Sequence, residues 1–183
     1  MNPTLAKFAT ELLRWNERIN LTAVRDPEGI VERHFVDSLA LLPYIPAGAA
    51  SLVDVGSGPG FPGAVLALAR PDLAVTLVES NHKKCAFLET LRRELPLPRT
   101  TVRSQRIEDV LAHPSFAPFD VAVSRATLDL PEWLALGSRL VRPGGLVFGM
   151  EGAEVRELPP SASRHPYPLG SATRALIMFH VEP

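Results

Sequence analysis

The sequence predicts an α/β protein with a doubly wound, mostly parallel sheet and a helical extension at its N-terminus. From residue 51 onward, short apolar runs alternate with helical patterns, and this alternation is typical of parallel strands joined by helical crossovers. Before residue 43 the apolar residues instead recur with helical spacing. We therefore expect one domain over residues 1–183, with the extension at 1–45 and the sheet-containing core at 51–183.

The N-terminal extension is predicted to be helical over residues 4–42. Its first helix is indicated by apolar residues that recur every three or four positions: Leu5, Phe8, Leu12, Trp15 and Ile19. Asp26 and Pro27 are typical of a helix N-cap followed by proline at the first helical position. Pro43 is expected to end the last helix of the extension.

The core is predicted from apolar runs that are bounded by turn residues. Six strands are expected, at residues 51–55, 73–79, 100–103, 119–124, 146–150 and 173–181. Helices are expected between them, at residues 62–70, 81–95, 106–111 and 131–140. Residues 152–171 are rich in proline and serine, so this segment is expected to be a loop.

Composition excludes several classes of protein. The chain has 46% hydrophobic and 21% charged residues, which is ordinary for a globular domain. Its longest apolar stretch, residues 39–50, is interrupted by two prolines and is too short to span a bilayer. Cys85 is the only cysteine, which excludes an internal disulfide and suits a reducing cytosol. We therefore expect a cytoplasmic protein, and the net charge of −1 neither indicates nor forbids nucleic-acid binding.

A glycine-rich segment follows the first predicted strand directly, with glycine at positions 56, 58 and 60. Glycine lets the backbone turn sharply and approach a ligand, and ligands of open α/β sheets lie at the carboxyl ends of strands. The dinucleotide pattern fails from Gly56 because Phe61 replaces its third glycine, but a register shifted to Gly58 satisfies it. Asp54 followed by this glycine pattern fits an S-adenosylmethionine loop better, while a tight turn without a ligand remains an alternative.

Three further positions follow strand ends at the same edge of the predicted sheet. Glu79, 23 residues after Gly56, could accept hydrogen bonds from ribose hydroxyls, which both NAD and S-adenosylmethionine carry. Ile107 could pack on an adenine ring. Arg125 could pair with a carboxylate or phosphate of the ligand, or could form a loop salt bridge with Asp129.

The extension carries polar residues that its apolar stripe does not explain. Arg33 and Asp37 are spaced as an i,i+4 ion pair on one helical face, together with His34. A histidine in this setting is more often packed or exposed than catalytic. We expect no metal site, because no grouping of histidine, cysteine or carboxylate residues has the spacing of metal ligands.

Together these motifs resemble one family, the RsmG methyltransferases, also called glucose-inhibited division protein B. The most specific resembling segments are Asn20-Leu-Thr and Gly58-Pro-Gly-Phe-Pro-Gly63, and the resemblance covers roughly residues 10–152. Other resembling positions are Trp15-Asn16, Arg33-His34, Asp37-Ser38, Glu79-Ser80, Arg106, Ser124-Arg125-Ala126 and Gly144-Gly145. The resemblance implies a class I, Rossmann-like methyltransferase fold.

The resemblance also implies an activity. Members of the family transfer a methyl group from S-adenosylmethionine to N7 of one guanine in 16S ribosomal RNA of the bacterial small subunit. The family's cofactor contacts fall on Gly56, Phe61, Ile107, Glu108 and Arg125, and each of these positions carries a compatible residue. Arg125 is the candidate catalytic residue, through the amino-acid end of the cofactor. The partner is then 16S ribosomal RNA or the small ribosomal subunit, bound by a monomer.

RNA contacts are expected on the extension, from Asn20, Arg33 and His34. Two departures from the family's pattern bear on this. The family usually has Lys-Gly after the fifth strand, where this chain has Glu151-Gly152, and only one strand is predicted beyond that point. Two alternatives therefore stay open: a module that binds S-adenosylmethionine without catalysis, and an NAD-dependent oxidoreductase.

Overall fold

The computed structural model describes residues 2–125 and 127–183, and a seven-stranded sheet forms its centre. The strands are β1 (Ser51–Val55), β2 (Ala74–Glu79), β3 (Thr100–Ser104), β4 (Phe119–Arg125), β5 (Val141–Glu151), β6 (Ala162–Leu169) and β7 (Ala172–His180). Their order across the sheet is β3-β2-β1-β4-β5-β7-β6, and the first five are parallel. β7 pairs antiparallel with β5 and with β6. This sheet confirms the predicted doubly wound, mostly parallel architecture.

Helices cover both faces of the sheet. They are α1 (Pro3–Asn16), α2 (Pro27–Ile30), α3 (Asp37–Leu39), α4 (Gly63–Ala69), α5 (His82–Glu94), α6 (Ile107–Ala112) and α7 (Leu130–Ser138). Strands buried on both sides send alternate residues into two cores. Leu52 packs with α1, α4 and α5 on one face, whereas Val53 and Val55 pack with α6 and α7 on the other. No helix in the described part of the chain is long and apolar enough to cross a membrane.

The first helix of the extension forms as predicted. Phe8 and Leu12 are fully buried in the larger core, and Phe8 stacks on Phe61 with ring centroids 5.2 Å apart. This contact joins the extension directly to the glycine-rich segment after β1. The extension is therefore packed against the sheet domain through the residues that its apolar stripe predicted.

The apolar stripe predicted a first helix that reaches Ile19, but α1 ends at Asn16, and an irregular segment lies between α1 and α2. There the Asn16 carboxamide organises an irregular turn: its Oδ1 accepts hydrogen bonds from Leu21 N (2.9 Å) and Thr22 N (3.1 Å), and its Nδ2 donates to Thr22 O (2.9 Å). These bonds satisfy backbone groups that a continuous helix would have paired internally. Helix resumes where Asp26 caps Gly29 N at 2.6 Å, with Pro27 at the first position, as predicted.

The second helix is continuous but changes its winding. Residues Val31–Val36 form a π-helical turn between α2 and α3, and a short 3-10 turn follows at Leu42–Tyr44. A π-helical turn adds one residue to the hydrogen-bonded ring, so side chains beyond it rotate relative to an α-helix. The rotation matters because Asp37 lies at its end.

The prediction of a single strand after β5 is also wrong, because β6 and β7 form an antiparallel hairpin. β6 was missed because it contains Pro166 and Pro168, which normally argue against a strand. Both prolines are exposed, and β6 is the edge strand, paired only with β7. On the free side of an edge strand, proline removes no ladder hydrogen bond. The expected loop of residues 152–171 therefore shrinks to the segment before β6.

Candidate active site

The cavity of the candidate site opens at the carboxyl ends of β1, β2 and β4, as the topology of an open α/β sheet leads one to expect. Its volume is about 530 Å³, within the range of roughly 300–1,000 Å³ that is usual for small-molecule sites. The glycine segment after β1, the end of β2, the start of α6 and the end of β4 line it. Four separate stretches of sequence therefore meet at one site.

Two of the loop glycines both line the cavity and have a backbone conformation that favours glycine. Gly56 has φ of +70° and Gly58 has φ of +54°, both in the left-handed region that side chains disfavour. A Cβ on Gly56 would also collide with the side chain of Thr127. Both residues line the cavity. Gly60 instead faces Phe8 and α5 and does not contribute to the lining.

Asp54 lies beneath the loop rather than in the cavity. Its side chain is fully buried, and Oδ2 accepts a hydrogen bond from Gly63 N at 2.9 Å, at the start of α4. Within the described residues, Oδ1 has no hydrogen-bond partner. Burial raises the pKa of this carboxyl from 3.8 to about 7. The structure therefore gives Asp54, predicted as a cofactor contact, the task of anchoring the loop.

Glu79 ends β2 and lines the cavity, although only 7% of the residue is exposed. Its Oε2 accepts from Gly58 N at 2.9 Å and its Oε1 accepts from Asn81 N at 2.8 Å. A carboxylate has about four lone-pair positions, so each oxygen can still accept one further bond. The two amides therefore fix the orientation of a carboxylate that retains the capacity to bind a pair of hydroxyls.

The wall beyond β3 is formed by the start of α6. Ile107 is 8% exposed and presents an apolar surface to the cavity, and Glu108 beside it is exposed and also lines it. An apolar wall near a fixed carboxylate matches the base and ribose of an adenosine. Thr127 and Leu128, directly after β4, complete the lining. Sequence reasoning missed this pair, although their position after a strand end was a usable signal.

Arg125 closes the cavity at the end of β4, with 15% of its side chain exposed. Its Nη1 donates to Asp37 Oδ2 at 3.1 Å and to the Arg33 carbonyl at 3.3 Å. The guanidinium carbon lies 5.3 Å from the centroid of the Phe61 ring, a cation–π distance. The extension thus contributes directly to the position of a cavity residue. Ala126, next in the resembling motif, lies outside the described residues.

Two ion pairs considered from the sequence are wrong. Asp37 does not pair with Arg33, because the helix turns Asp37 inward to Arg125 while Arg33 stays exposed and lies 3.9 Å from Asp26. The alternative pairing of Arg125 is also wrong: Asp129 binds Arg156 at 2.8 Å. Asp37 and Arg125 are 88 residues apart in the sequence, and Asp129 and Arg156 are 27 apart, so local spacing could not indicate either pairing.

Phe61 lies at the junction of the cavity and the extension. The residue is 2% exposed, and its ring stacks against Phe8 and, at 4.5 Å, against the His34 imidazole. His34 Nε2 is 2.7 Å from Thr22 Oγ1, and Nδ1 is 3.0 Å from the Arg33 carbonyl. Burial, with the nearby Arg125 charge, lowers the pKa of His34 to about 4, so the ring is neutral at pH 7.

The three predicted RNA contacts therefore occupy different environments. Asn20 is exposed and accepts a hydrogen bond from Arg25 at 3.4 Å. The Arg33 side chain is 60% exposed. His34 is 9% exposed, and its neutral, bonded ring does not favour contact with a phosphate. Among the described residues, no group of three histidine, cysteine or carboxylate side chains could hold a metal ion.

A second recess of about 230 Å³ lies at the ends of β4 and β5 and shares Leu128 with the main cavity. Trp133, Glu151 and Arg156 are among its lining residues. Glu151 Oε1 lies 3.8 Å from Arg156 Nε, and Oε2 lies 3.9 Å from Arg164 Nη1. The acidic residue that departs from the family's pattern is thus flanked by cations.

Known proteins with the same fold include the O-methyltransferase from Bacillus cereus, solved in complex with SAH. Its TM-score is 0.69 at 18% identity, covering 96% of this chain and 91% of that one. The O-methyltransferase TomG from Streptomyces achromogenes, solved in complex with SAM, has a TM-score of 0.67 at 17% identity, covering 100% of this chain and 91% of the other. At these identities the likeness concerns the fold alone.

Sequence relatives identify the family. The ribosomal RNA small subunit methyltransferase G of Myxococcus xanthus is 44% identical over 152 residues, which cover 83% of this chain and 70% of the relative. The protein of the same name from Xanthomonas axonopodis pv. citri is 47% identical over 153 residues, covering 84% and 70%. The family model described as rRNA small subunit methyltransferase G matches residues 1–162. This chain belongs to that family.

Proposed function

We propose that this chain transfers a methyl group from S-adenosylmethionine to N7 of a guanine in 16S ribosomal RNA, with the cofactor held between Glu79, Ile107 and Arg125. The reaction class, methylation of small-subunit ribosomal RNA, follows from membership of the family. Membership also disfavours an NAD-dependent oxidoreductase. The observation that carries the site assignment is the cavity of about 530 Å³ that joins these three residues around the glycine loop.

The residues present suit each part of the cofactor. The Glu79 carboxylate, fixed by Gly58 N and Asn81 N, is the acceptor for the ribose hydroxyls. Ile107 packs against the adenine ring, and Glu108 stands beside it. Arg125, at the opposite wall, supplies a fork of N–H donors for the carboxylate of the amino-acid end.

The chemistry requires little from the side chains beyond position. When bound, the cofactor supplies an electrophilic methyl group. Guanine N7 carries an in-plane lone pair and no proton, so its attack needs no general base. Alignment alone can contribute roughly 7–11 kcal/mol to such a reaction. The task of Glu79 and Arg125 is therefore to hold the two ends of the cofactor, and the task of the RNA-binding surface is to orient the base.

We propose that the guanine binds in the recess beside Leu128, next to the Arg125 end of the cavity. Trp133 lies behind this recess with only 2% of the residue exposed, and Glu151 and Arg156 give the recess charges of both signs. A carboxylate near the base stabilises the positive charge that N7 methylation creates on the ring. Asn20 and Arg33 are the proposed RNA contacts on the extension, where both are exposed. The protein is proposed to act as a monomer, in the cytoplasm.

The activity is tested with radiolabelled S-adenosylmethionine and small ribosomal subunits that lack the methyl mark. We expect label in 16S ribosomal RNA, at a single guanine that becomes sensitive to reduction and aniline cleavage, as N7-methylated guanine is. Naked 16S ribosomal RNA in a parallel reaction distinguishes free RNA from the assembled particle as the substrate. Cofactor binding without incorporation into either substrate would favour the non-catalytic binding module.

The role of Arg125 is tested by titration calorimetry of Arg125→Ala. We expect affinity for S-adenosylmethionine to fall at least tenfold, because a charged hydrogen-bond donor to the ligand carboxylate typically contributes ~1.5–3 kcal/mol. Affinity for methylthioadenosine, which lacks the amino-acid end, should not change. Arg92→Ala is the matched control, since Arg92 lies on the surface of α5 and pairs with Glu89 on the same helix. Equal affinities of Arg125→Ala and the wild type for S-adenosylmethionine would remove this role.

A further inference from the structure

We propose that Tyr167 and Asp37 are positioning residues, which together hold the Arg125 guanidinium against the amino-acid end of the cofactor. This inference rests on the proposed function, and in particular on Arg125 as the carboxylate-binding residue. Tyr167 lies on β6, beyond the residues 1–162 that the family model matches. The C-terminal hairpin would thereby act on the cofactor site without lining it.

The Asp37 carboxylate is the point where three parts of the chain meet. It comes from α3 of the extension, and the residue is 1% exposed. Its Oδ2 binds Arg125 Nη1, at the end of β4, at 3.1 Å. Its Oδ1 accepts a hydrogen bond from the Tyr167 hydroxyl of β6 at 2.6 Å. Arg174 of β7 adds a second cation, with Nε 3.5 Å from Oδ1.

Tyr167 restricts the carboxylate in a way that the arginines alone do not. A salt bridge tolerates rotation of a carboxylate, whereas a short hydroxyl bond to one oxygen directs the other oxygen toward its partner. Burial and the Asp37 charge both raise the pKa of Tyr167, so the hydroxyl keeps its proton and remains a donor. With Oδ1 held by Tyr167, Oδ2 is left for Arg125.

The remaining contacts of Arg125 then determine which of its N–H groups face the cavity. Nη1 donates both to Asp37 and to the Arg33 carbonyl, and the guanidinium lies over the Phe61 ring. Arginine has five N–H donors in a rigid fork. In the described part of the chain no hydrogen bond engages Nε, and Nη2 lies 3.4 Å from His34 Nδ1, so Nε and the second hydrogen of Nη2 are the edge left for a ligand carboxylate. Loss of the Asp37 contact would free this edge to turn away.

The test compares two ligands in one variant. Tyr167→Phe removes a single oxygen atom and keeps the ring in place. We expect its affinity for S-adenosylmethionine to fall roughly fivefold, the effect of losing one hydrogen bond of average strength. Its affinity for methylthioadenosine should not change. Tyr44→Phe is the matched control, because Tyr44 packs against His165 of the same hairpin strand and does not contact Asp37.

A double-mutant cycle separates positioning from a general structural effect. In the Arg125→Ala background, Tyr167→Phe should cause no further loss of S-adenosylmethionine affinity, because the residue through which it acts is absent. Additive losses, or equal weakening of both ligands, would overturn the inference. The inference would also be overturned if Tyr167→Phe kept wild-type affinity while Arg125→Ala weakened binding. That result would leave the proposed function intact. If Arg125→Ala itself has no effect, the assignment of Arg125 fails first.

Discussion

The buried carboxyl of Asp54 predicts an unusual dependence of stability on pH. Its pKa rises from 3.8 to about 7 on folding. A raised carboxyl pKa means that the folded protein binds the proton more tightly, so its stability falls as pH rises between these two values. At 1.36 kcal/mol per unit, a shift of about three units corresponds to about 4 kcal/mol of free energy of unfolding. Asp54→Asn, which has no charge to bury, should lack this loss.

His34 acts in the opposite direction over nearly the same range. Its pKa falls from 6.5 to about 4, so the folded protein resists protonation and loses stability as pH falls between these values, by about 3 kcal/mol. Between about pH 4 and pH 6.5 the two contributions largely cancel. The wild-type protein should therefore show little pH dependence from this pair, although each group alone contributes strongly.

The assay is urea unfolding of wild type and Asp54→Asn at intervals from pH 4.5 to 8, followed by the fluorescence of the two tryptophans. We expect the variant's free energy of unfolding to increase relative to the wild type as pH rises to about 7, and to run parallel above it. His34→Gln should show the reverse difference. The test uses the change with pH of the difference in free energy of unfolding between variant and wild type, because a difference that is constant with pH reflects packing. Parallel curves for Asp54→Asn throughout would refute the assigned pKa.

Two further predictions concern the walls of the cavity. Glu79→Gln should lower affinity for S-adenosylmethionine by at least tenfold and destabilise the fold by about 1–3 kcal/mol. Gly58 N and Asn81 N bind different carboxylate oxygens, and the amide NH2 that replaces one of them cannot accept a hydrogen bond. Wild-type values in calorimetry and urea unfolding would contradict this prediction. Gly56→Ala should abolish measurable cofactor binding, since its φ is +70° and its Cβ meets Thr127. Gly48→Ala, with open space around its Cβ, should bind normally in the same titration.

The sequence was informative where function depends on local geometry. The glycine loop, Glu79 and Ile107 each follow a strand, and parallel strands bring their carboxyl ends to one edge. Asp26 followed by Pro27 likewise indicated a helix cap, and the structure contains it, with Asp26 accepting a hydrogen bond from Gly29 N. In these cases the partner lies within a few residues, or the topology alone brings the residues together.

Interactions between distant segments could not be read in the same way. Asp37 had Arg33 at helical spacing, yet it binds Arg125 and Tyr167, which are 88 and 130 residues away. The π-helical turn before Asp37 changes its direction, and no residue pattern indicated that turn. Asn16 was different, because its backbone partners are only five to eight residues away. An asparagine ending an amphipathic helix was a signal for a local turn.

The effect of Glu151, which departs from the family's pattern, depends on the charged groups that surround it in the structure. A carboxylate where relatives carry lysine suggests a loss of positive charge and of RNA affinity. However, Arg156 Nε and Arg164 Nη1 lie 3.8 and 3.9 Å from the two carboxylate oxygens. Arg156, in turn, also pairs with Asp129 at 2.8 Å and with Glu154 at 3.3 Å, so the three carboxylates and two guanidinium groups of this cluster carry a net charge of −1. Both arginines are balanced by neighbouring carboxylates, so this edge of the sheet does not replace the charge of a lysine, and the recess suits a base that gains positive charge better than it suits a phosphate.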